Sequence, residues 1–534
     1  MIKDEARSTE AALTLEQAAG QMLLAAFEGH EPPPQMLDLL RRTHIGGVTL
    51  FRSMNVQDPA QVRSLTAALQ RAAAESGQPP LLVCADQEGG QLLAIAGTTP
   101  FPGNMALGAT RSTDLARRAG SAVGRELAAM GINVNYAPVC DVNVNPRNPV
   151  VGTRSFGADP SEVGRLAAAM IEGLQEAGVA ATAKHFPGHG DTATDSHYGT
   201  PVLTFDEERL RSVELPPFGA AIDAGTRLMM TAHIALPGMT NGLEVPATLS
   251  PQIMKKLLRE ELGFQGVVVS DAMNMGAIEA GLGLVVDCIA AANAGVDLLL
   301  LADCDEGFQA VYSALLQAAR RGLLPPGEML RSAMRVLELK SWLANREQPG
   351  LEVVNSKEHR TLAYDIAARS VTLVRDNDRS LPLHLGQDAR VAVILPRPAN
   401  LTPADTSSYD RPVLTDMLRR YHPNVDQIDI SIDPNQEQIG DALRQAEEYD
   451  LILVGTINAF QHTGQAALVN KLLERTRKVI AVALRLPYDL ETYPGVPTYI
   501  CTYNIQPPSM EALADALWGR IPFAGSLPVM VEGA

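Results

Sequence analysis

Positive charge is what this 534-residue sequence is short of: 44 lysines and arginines stand against 61 aspartates and glutamates, a formal net charge of −17 at pH 7. Phosphate backbones reward clustered cations, so nucleic acid is not an expected partner. Cysteine is also scarce. The five present (Cys84, Cys140, Cys288, Cys304, Cys501) are odd in number and scattered, with no CxxC pair, which excludes a disulfide framework or a thiolate metal site and leaves reduced, structural thiols as the expectation. No apolar run is long enough to span a membrane, because the most apolar region, residues 266–302, is broken by Asp271, Glu279, Asp287 and Asp297. The start, Met1-Ile2-Lys3-Asp4-Glu5-Ala6-Arg7, mixes charges and has no apolar core of the secretory kind, so a cytoplasmic location is expected. No GxGxxG turn or GxxxxGK[ST] loop follows the first apolar run, which disfavours an open nucleotide-binding sheet and implies no cofactor.

What is present is a globular composition, 46% hydrophobic and 20% charged, in a chain too long for one ordinary core. Short Val-, Ile- and Leu-rich runs alternate with longer segments of helical apolar spacing, the pattern of repeated βα units. Strands are expected at 22–27, 47–51, 81–85, 133–137, 180–185, 228–232, 267–270 and 296–301. Eight such strands close a (β/α)8 barrel of the TIM type, and residues 1–345 give it room for insertions. The pattern changes near the polar segment 345–350. Apolar runs at 391–395, 451–454, 479–484 and 499–502 then predict a smaller α/β sandwich over residues 346–534.

Asp86, Asp141, His185, His233 and Asp271 each stand at the end of an expected strand, and barrel enzymes build their sites at that end. A single Asp there is more often a helix cap than a reacting group. Five in register favour function. The glycine-punctuated stretch from Lys184 through His189 and Asp191 to Asp195-Ser196-His197 adds weight, since four of the ten histidines fall between His185 and His233. In an Asp-x-His arrangement a carboxylate can orient an imidazole and raise its pKa, so that the ring gives up a proton and later takes one back. A strand such as Gly266-Val267-Val268-Val269-Ser270-Asp271 presents one carboxylate where a glycosidase would place its nucleophile.

KHFPGHGDTATDSHYGTP at 184–201 and GFQGVVVSDAMNMGAI at 263–278 resemble the signature loop and nucleophile strand of glycoside hydrolase family 3, in its β-N-acetylhexosaminidase branch. DQEGG at 86–90, FPGNMALGAT at 101–110, the segment 132–160 and MTAHIALPG at 230–238 extend the resemblance over nearly the whole barrel. The resemblance implies a retaining exo-glycosidase acting on a small carbohydrate that ends in β-linked N-acetylglucosamine, with roles in cell-wall recycling. It makes Asp271 the nucleophile and His197, held by Asp195, the acid/base, and it puts Asp86, Arg154, Lys184, His185 and His233 on the sugar. The branch usually reads DQEGGxVxR, whereas Ala94 stands here in place of the arginine, so contacts beyond the first sugar are expected to differ. The second domain matches more weakly and is assigned no catalytic residue. Two rival readings keep the barrel: a metal-dependent hydrolase using His185, His189, Asp191, Asp195, His197 and His233 as ligands, and a phosphorylase in which inorganic phosphate replaces water.

Overall fold

The computed structural model describes residues 13–278, 282–476 and 478–534. The mixed-charge start and Glu279 lie outside the described residues. Eight strands, β1 (Leu23–Ala25), β2 (Gly47–Thr49), β3 (Leu82–Ala85), β4 (Val134–Asn135), β5 (Ala180–Phe186), β6 (Leu228–Thr231), β7 (Val267–Val269) and β8 (Leu299–Leu300), pair in parallel in that order. β1 also pairs with β8, and the parallel bridge Val269–Leu298 joins the last two strands, so the sheet closes into the expected barrel. All eight strands fall inside or against the expected segments, most of them shorter.

Alternation explains why these runs form strands here. Val267 and Val269 share one buried cluster with Leu24, Leu82, Val134, Leu228 and Leu300, while Val268 between them packs outward with Leu23, Val83 and Leu299 against the helices. Several helices begin at a capping carboxylate with proline at the first position: Asp58 before Pro59–Glu75 and Asp159 before Pro160–Glu176 each accept two backbone N–H groups. Those aspartates are the structural kind. The ones at the strand ends differ, as described below.

The second sheet has six strands: β9 (Thr372–Asp376), β10 (Val391–Pro396), β11 (Val425–Ile430), β12 (Leu451–Thr456), β13 (Val479–Ala483) and β14 (Thr498–Cys501), ordered β9-β14-β13-β12-β10-β11. Only β9 runs antiparallel. Helices cover both faces: Ile394 and Val454 pack with Ile439 and Leu472 on one side, Val393 and Leu453 with Leu418 and Leu513 on the other. The four expected strands are the inner ones. The two unforeseen strands, β9 and β11, are the sheet's edges, and β11 alternates buried and exposed residues (Val-Asp-Gln-Ile-Asp-Ile), because an edge strand need not be apolar on both faces.

The carboxyl ends of β10, β12 and β13 face the barrel. The hairpin Gln87–Gly89/Leu92–Leu93 that follows β3 is held there: Thr406 N donates to Gln91 O (2.8 Å), Leu93 N to Thr406 Oγ1 (3.0 Å), Gln91 Nε2 to Ala404 O (3.1 Å) and Gln506 Nε2 to Gly90 O (2.9 Å). A buried carboxylate, Glu126, ties the two parts from the other side by accepting from His359 Nδ1 (2.7 Å) and Asn355 N (3.1 Å).

Candidate active site

The floor of the site is a buried lattice of charges on the carboxyl ends of β3 and β5. Lys184 Nζ lies 2.6 Å from both Asp86 Oδ1 and Glu88 Oε1. Glu88 also receives Arg154 as a fork, Nε to Oε2 at 2.9 Å and Nη2 to Oε1 at 2.7 Å. Planar guanidinium against carboxylate is the geometry in which such a pair is strongest. Burial opposes ionisation of Glu88, but Arg154 and Lys184 outweigh it and hold the carboxyl at about 2. Arg154 Nη2 stands 3.4 Å from His185 Nε2, and His185 Nδ1 in turn meets Asp141 Oδ2 at 2.7 Å. Asp141 is fully buried and also accepts the backbone N–H groups of His185 (3.2 Å) and His189 (2.7 Å). Its carboxyl is held below the usual range against burial, chiefly by His185.

Each residue proposed from the sequence is therefore placed. Asp86, Arg154, Lys184 and His185 form one contiguous array, and His233 lies at the end of β6 with Nδ1 on Thr248 Oγ1 (2.8 Å) and Nε2 on the carbonyl of Ala272 (3.2 Å). Glu88 and Asp141 join this array without having been assigned a role there. Both signals were in the sequence, since Glu88 sits inside DQEGG and Asp141 ends the fourth strand segment.

The loop after β5 is anchored before it reaches the cavity. Asn148 Nδ2 donates to His189 O (2.8 Å) and Gly190 O (3.1 Å). A side chain at Gly190 would drive its Cβ to 1.8 Å from Val142 O, so only glycine fits this approach. His189 spends both ring nitrogens inside the loop, on Thr192 Oγ1 (2.7 Å) and Ser196 Oγ (3.0 Å), and burial lowers it to about 4. His197 differs. Its Nδ1 lies 2.6 Å from Asp195 Oδ1, which also accepts the His197 backbone N–H at 2.9 Å. Among the described residues no group bonds its Nε2, and the ring lines the cavity. Gly276 N donates to His197 O (3.1 Å) and Ala277 N to Ser196 O (3.2 Å), so the backbone of the loop is bonded to the segment that follows Asp271.

Asp271 closes the set. Among the described residues its one hydrogen bond is from the N–H of Ala272 (2.8 Å), which sets it apart from the capping aspartates. Burial disfavours its charge, yet His185, followed by His233 and His197, outweighs burial and keeps the carboxyl below its ordinary range. Burial pushes the His233 imidazole down, against the pull of Asp271. The arrangement offers an ionised, poorly solvated carboxylate facing an imidazole with one uncommitted nitrogen, the equipment for nucleophilic attack with proton transfer.

Asp86, Arg154, Lys184, His185, His197 and Asp271 line a cavity of about 510 Å³ whose wall also takes Arg52 and Ala94 from the barrel and Asn400, Ala404 and Tyr409 from the loop after β10, while Glu88, Asp141, Asp195 and His233 stand behind that lining. The expectation that the second domain contributes nothing catalytic concerns reacting groups; the cavity wall, however, is partly built by that domain. The rival metal site lacks its geometry. Among the described residues no three His, Cys, Asp or Glu side chains group so as to hold an ion. His189 and His233 have both ring nitrogens bonded within the protein.

Comparison with known proteins agrees with this geometry. Residues 14–339 match the glycosyl hydrolase family 3 N-terminal domain, and residues 389–513 match the C-terminal domain of β-N-acetylglucosaminidase. The β-hexosaminidase A of Pseudoalteromonas piscicida is 34% identical over 600 residues, covering 99% of this chain and 98% of its own. A protein of Cellulomonas fimi described as a β-N-acetylglucosaminidase/β-glucosidase is 30% identical over 98% of this chain and 95% of its own. The solved structure of a glycoside hydrolase family 3 β-N-acetylglucosaminidase from Paenibacillus sp. str. FPU-7 superposes with a TM-score of 0.92 at 37% identity, covering 97% of this chain and 99% of its own. A barrel with this charge lattice, joined to this second sheet and matching such relatives over nearly its whole length, means that the chain belongs to glycosyl hydrolase family 3.

Proposed function

We propose that the protein is a retaining exo-glycosidase that removes terminal β-linked N-acetylglucosamine, or a related N-acetylhexosamine, from glycans or cell-wall fragments. The β-hexosaminidase and β-N-acetylglucosaminidase names of its relatives support the sugar. One observation carries the chemistry: ionised Asp271 faces an imidazole, His197, whose Nδ1 is held by Asp195 and whose Nε2 has no partner among the described residues. In the first step an Asp271 oxygen bonds to the anomeric carbon as the glycosidic C–O bond breaks, and His197 gives its Nε2 proton to the departing oxygen. In the second step water gives a proton to His197, its oxygen bonds to the anomeric carbon, and Asp271 is released with the β configuration retained. Asp195 holds the ring and stabilises its charged form. Asp86, Lys184, Arg154 and His185 bind the sugar, with His233 beneath it.

We assign residues 1–345 to the catalytic barrel and 346–534 to the second domain. Five free cysteines suit a reducing, cytoplasmic setting and a role in cell-wall recycling. The test is a screen of aryl β-glycosides that differ at the sugar 2-position, run with and without inorganic phosphate. Turnover that prefers the 2-acetamido sugar and yields free sugar in both buffers supports the reading. Preference for the 2-hydroxy sugar, or a sugar 1-phosphate as product, overturns it.

A further inference from the structure

The barrel has a second cavity of comparable size, about 470 Å³ against about 510 Å³ at the active site, and it lies at the opposite end. Gln21, His44 and Pro79 stand on its wall, and each shortly precedes a strand: β1 begins at Leu23, β2 at Gly47 and β3 at Leu82. The wall is therefore made at the amino ends of the strands, whereas Asp86, His185 and Asp271 stand at the carboxyl ends. Residues on the amino-terminal face of a barrel ordinarily serve stability. Lys340 opposes it.

Lys340, on the last turn of the helix Pro326–Leu343, lines this cavity and is 4% exposed. Among the described residues its Nζ makes one hydrogen bond, to Gln21 Oε1 at 2.7 Å, and no carboxylate lies within ion-pair distance of it. Lys184 is also buried, but it touches two carboxylates. An ammonium has three N–H donors, so two of those on Lys340 are left without an acceptor. A buried cation without a counter-ion destabilises the fold, and burial pushes the Lys340 amine down to about 7. No charge on the surrounding elements offsets this. Cys84 on β3 faces the amine, but burial raises its thiol to about 12, which keeps it neutral. Glu16, on the helix Leu15–Gln21 that packs against the Lys340 helix, is paired with Arg320. His44 is the other titratable group on the wall, and among the described residues no Asp or Glu lines the cavity.

One cation calls for one negative charge, because a dianion would bury a surplus charge as costly as the one it relieves. Leu13, Pro79, Pro80 and Leu337 on the wall call for an apolar body behind that charge. We infer that the cavity at the amino ends of β1 to β3 binds a small monocarboxylate with an apolar body, the carboxylate on Lys340 Nζ and the body against Leu13, Pro79, Pro80 and Leu337. Desolvation of the cation is already met when the chain folds, so the ligand gains a charge-assisted hydrogen bond without that cost. The site stands apart from the sugar cavity and does not depend on which sugar the other end takes.

The test is calorimetry on the full chain at pH 8 with hexanoate as the probe. Three controls divide its features: acetate has the charge without the body, hexanamide has the body without the charge, and inorganic phosphate is a dianion. Hexanoate should bind about ten-fold or more tightly than any of the three. At pH 8 the amine is mostly neutral, so hexanoate must bind together with a proton. Titrations in buffers of different ionisation enthalpy should show uptake of about one proton per hexanoate, whereas apolar binding elsewhere on the surface takes up none. Lys340→Met should weaken hexanoate about ten-fold or more and abolish the proton uptake, while turnover of an aryl β-glycoside stays at the wild-type rate because the active site is at the other end. A wild-type protein that binds hexanoate no better than hexanamide, that binds it without proton uptake, or that prefers phosphate overturns the inference. So does undiminished hexanoate binding in folded Lys340→Met protein.

Discussion

The floor and the mouth of the cavity are built on opposite principles. On the floor, ionic groups are buried together: Lys184 is 1% exposed and touches two carboxylates. Removing one member would strand the rest, since an uncompensated buried charge costs several kcal/mol. At the mouth the groups, Arg52 and Tyr409 among them, are exposed or half-buried, come from segments distant in sequence, and touch through a ring face and a single hydrogen bond. A floor of this kind fixes one sugar in one pose, and a mouth of this kind can change its guest without endangering the fold.

The largest expected effects fall where the floor meets the chemistry. Asp271→Ala should lower turnover by roughly four orders of magnitude with the fold retained, as removal of a covalent nucleophile does. Measured turnover within about ten-fold of wild type in a folded protein would place the nucleophile elsewhere. Next comes Glu88→Gln, which keeps the shape of the side chain and removes its charge. Lys184 and Arg154 would then share only Asp86 and Asp141, so stability should fall by about 3 kcal/mol, read as a lower denaturant midpoint, and turnover by about 100-fold. If Glu88→Gln alters neither, the lattice is not what holds the floor.

This contrast also separates what the sequence discloses from what it conceals. The floor is written in contiguous words: Asp86 and Glu88 lie in one motif, and Lys184, His185, Asp195 and His197 in another. Barrel strands read clearly for a similar reason, since β3 and β7 are buried on both faces and so carry unbroken apolar runs. Edge strand β11 hides because half its residues meet solvent. The mouth hides more deeply. Arg52, Tyr198 and Tyr409 stand in three unrelated segments, and only the packing of the second sheet's loop on the hairpin Gln87–Gly89/Leu92–Leu93 brings them to one opening. Glu88 was hidden in plain view, because a carboxylate inside a motif does not announce which cations it will hold.

Between floor and mouth stands His197, and its effect should depend on the leaving group. A stable leaving anion needs little protonation in the transition state, whereas a sugar alkoxide needs much. His197→Ala should therefore lower formation of the glycosyl-enzyme by about 100-fold or more with a sugar leaving group and by only about ten-fold with an activated aryl group. Azide should restore turnover on the aryl substrate and give the β-glycosyl azide. Asp195→Ala keeps the ring but frees it, and should show the same trend more weakly. Equal losses across leaving groups of graded acidity would make His197 a sugar-binding group and remove it from proton transfer.

The smallest expected effect is the share of the pH dependence that comes from His189 and Glu88. His189 is buried and depressed to about 4, whereas in the unfolded chain an imidazole titrates near ~6.5. As pH falls from about 6.5 toward 4, the unfolded chain gains this proton while the folded protein does not, so the contribution of His189 to stability declines over that window and levels off below it. Glu88 acts lower down. Its folded pKa of about 2 lies beneath an unfolded value near ~4.3, so its contribution is complete above about 4.3 and is lost as pH falls through 2. Asp489 and Glu214, each pushed up by burial to about 7, act in the opposite sense over much of this range, so the His189 contribution is read as the difference between wild type and variant in urea midpoints measured from pH 7 to pH 3.5. His189→Gln, which keeps a side chain able to bond Thr192 and Ser196 but cannot take up a proton, should lose less stability than the wild type as pH falls from 6.5 to 4, while Tyr409→Ala keeps the wild-type slope. A His189→Gln curve parallel to wild type between pH 6.5 and 4 would mean that this loop does not bury a neutral imidazole, and the acid sensitivity would have to come from outside the floor.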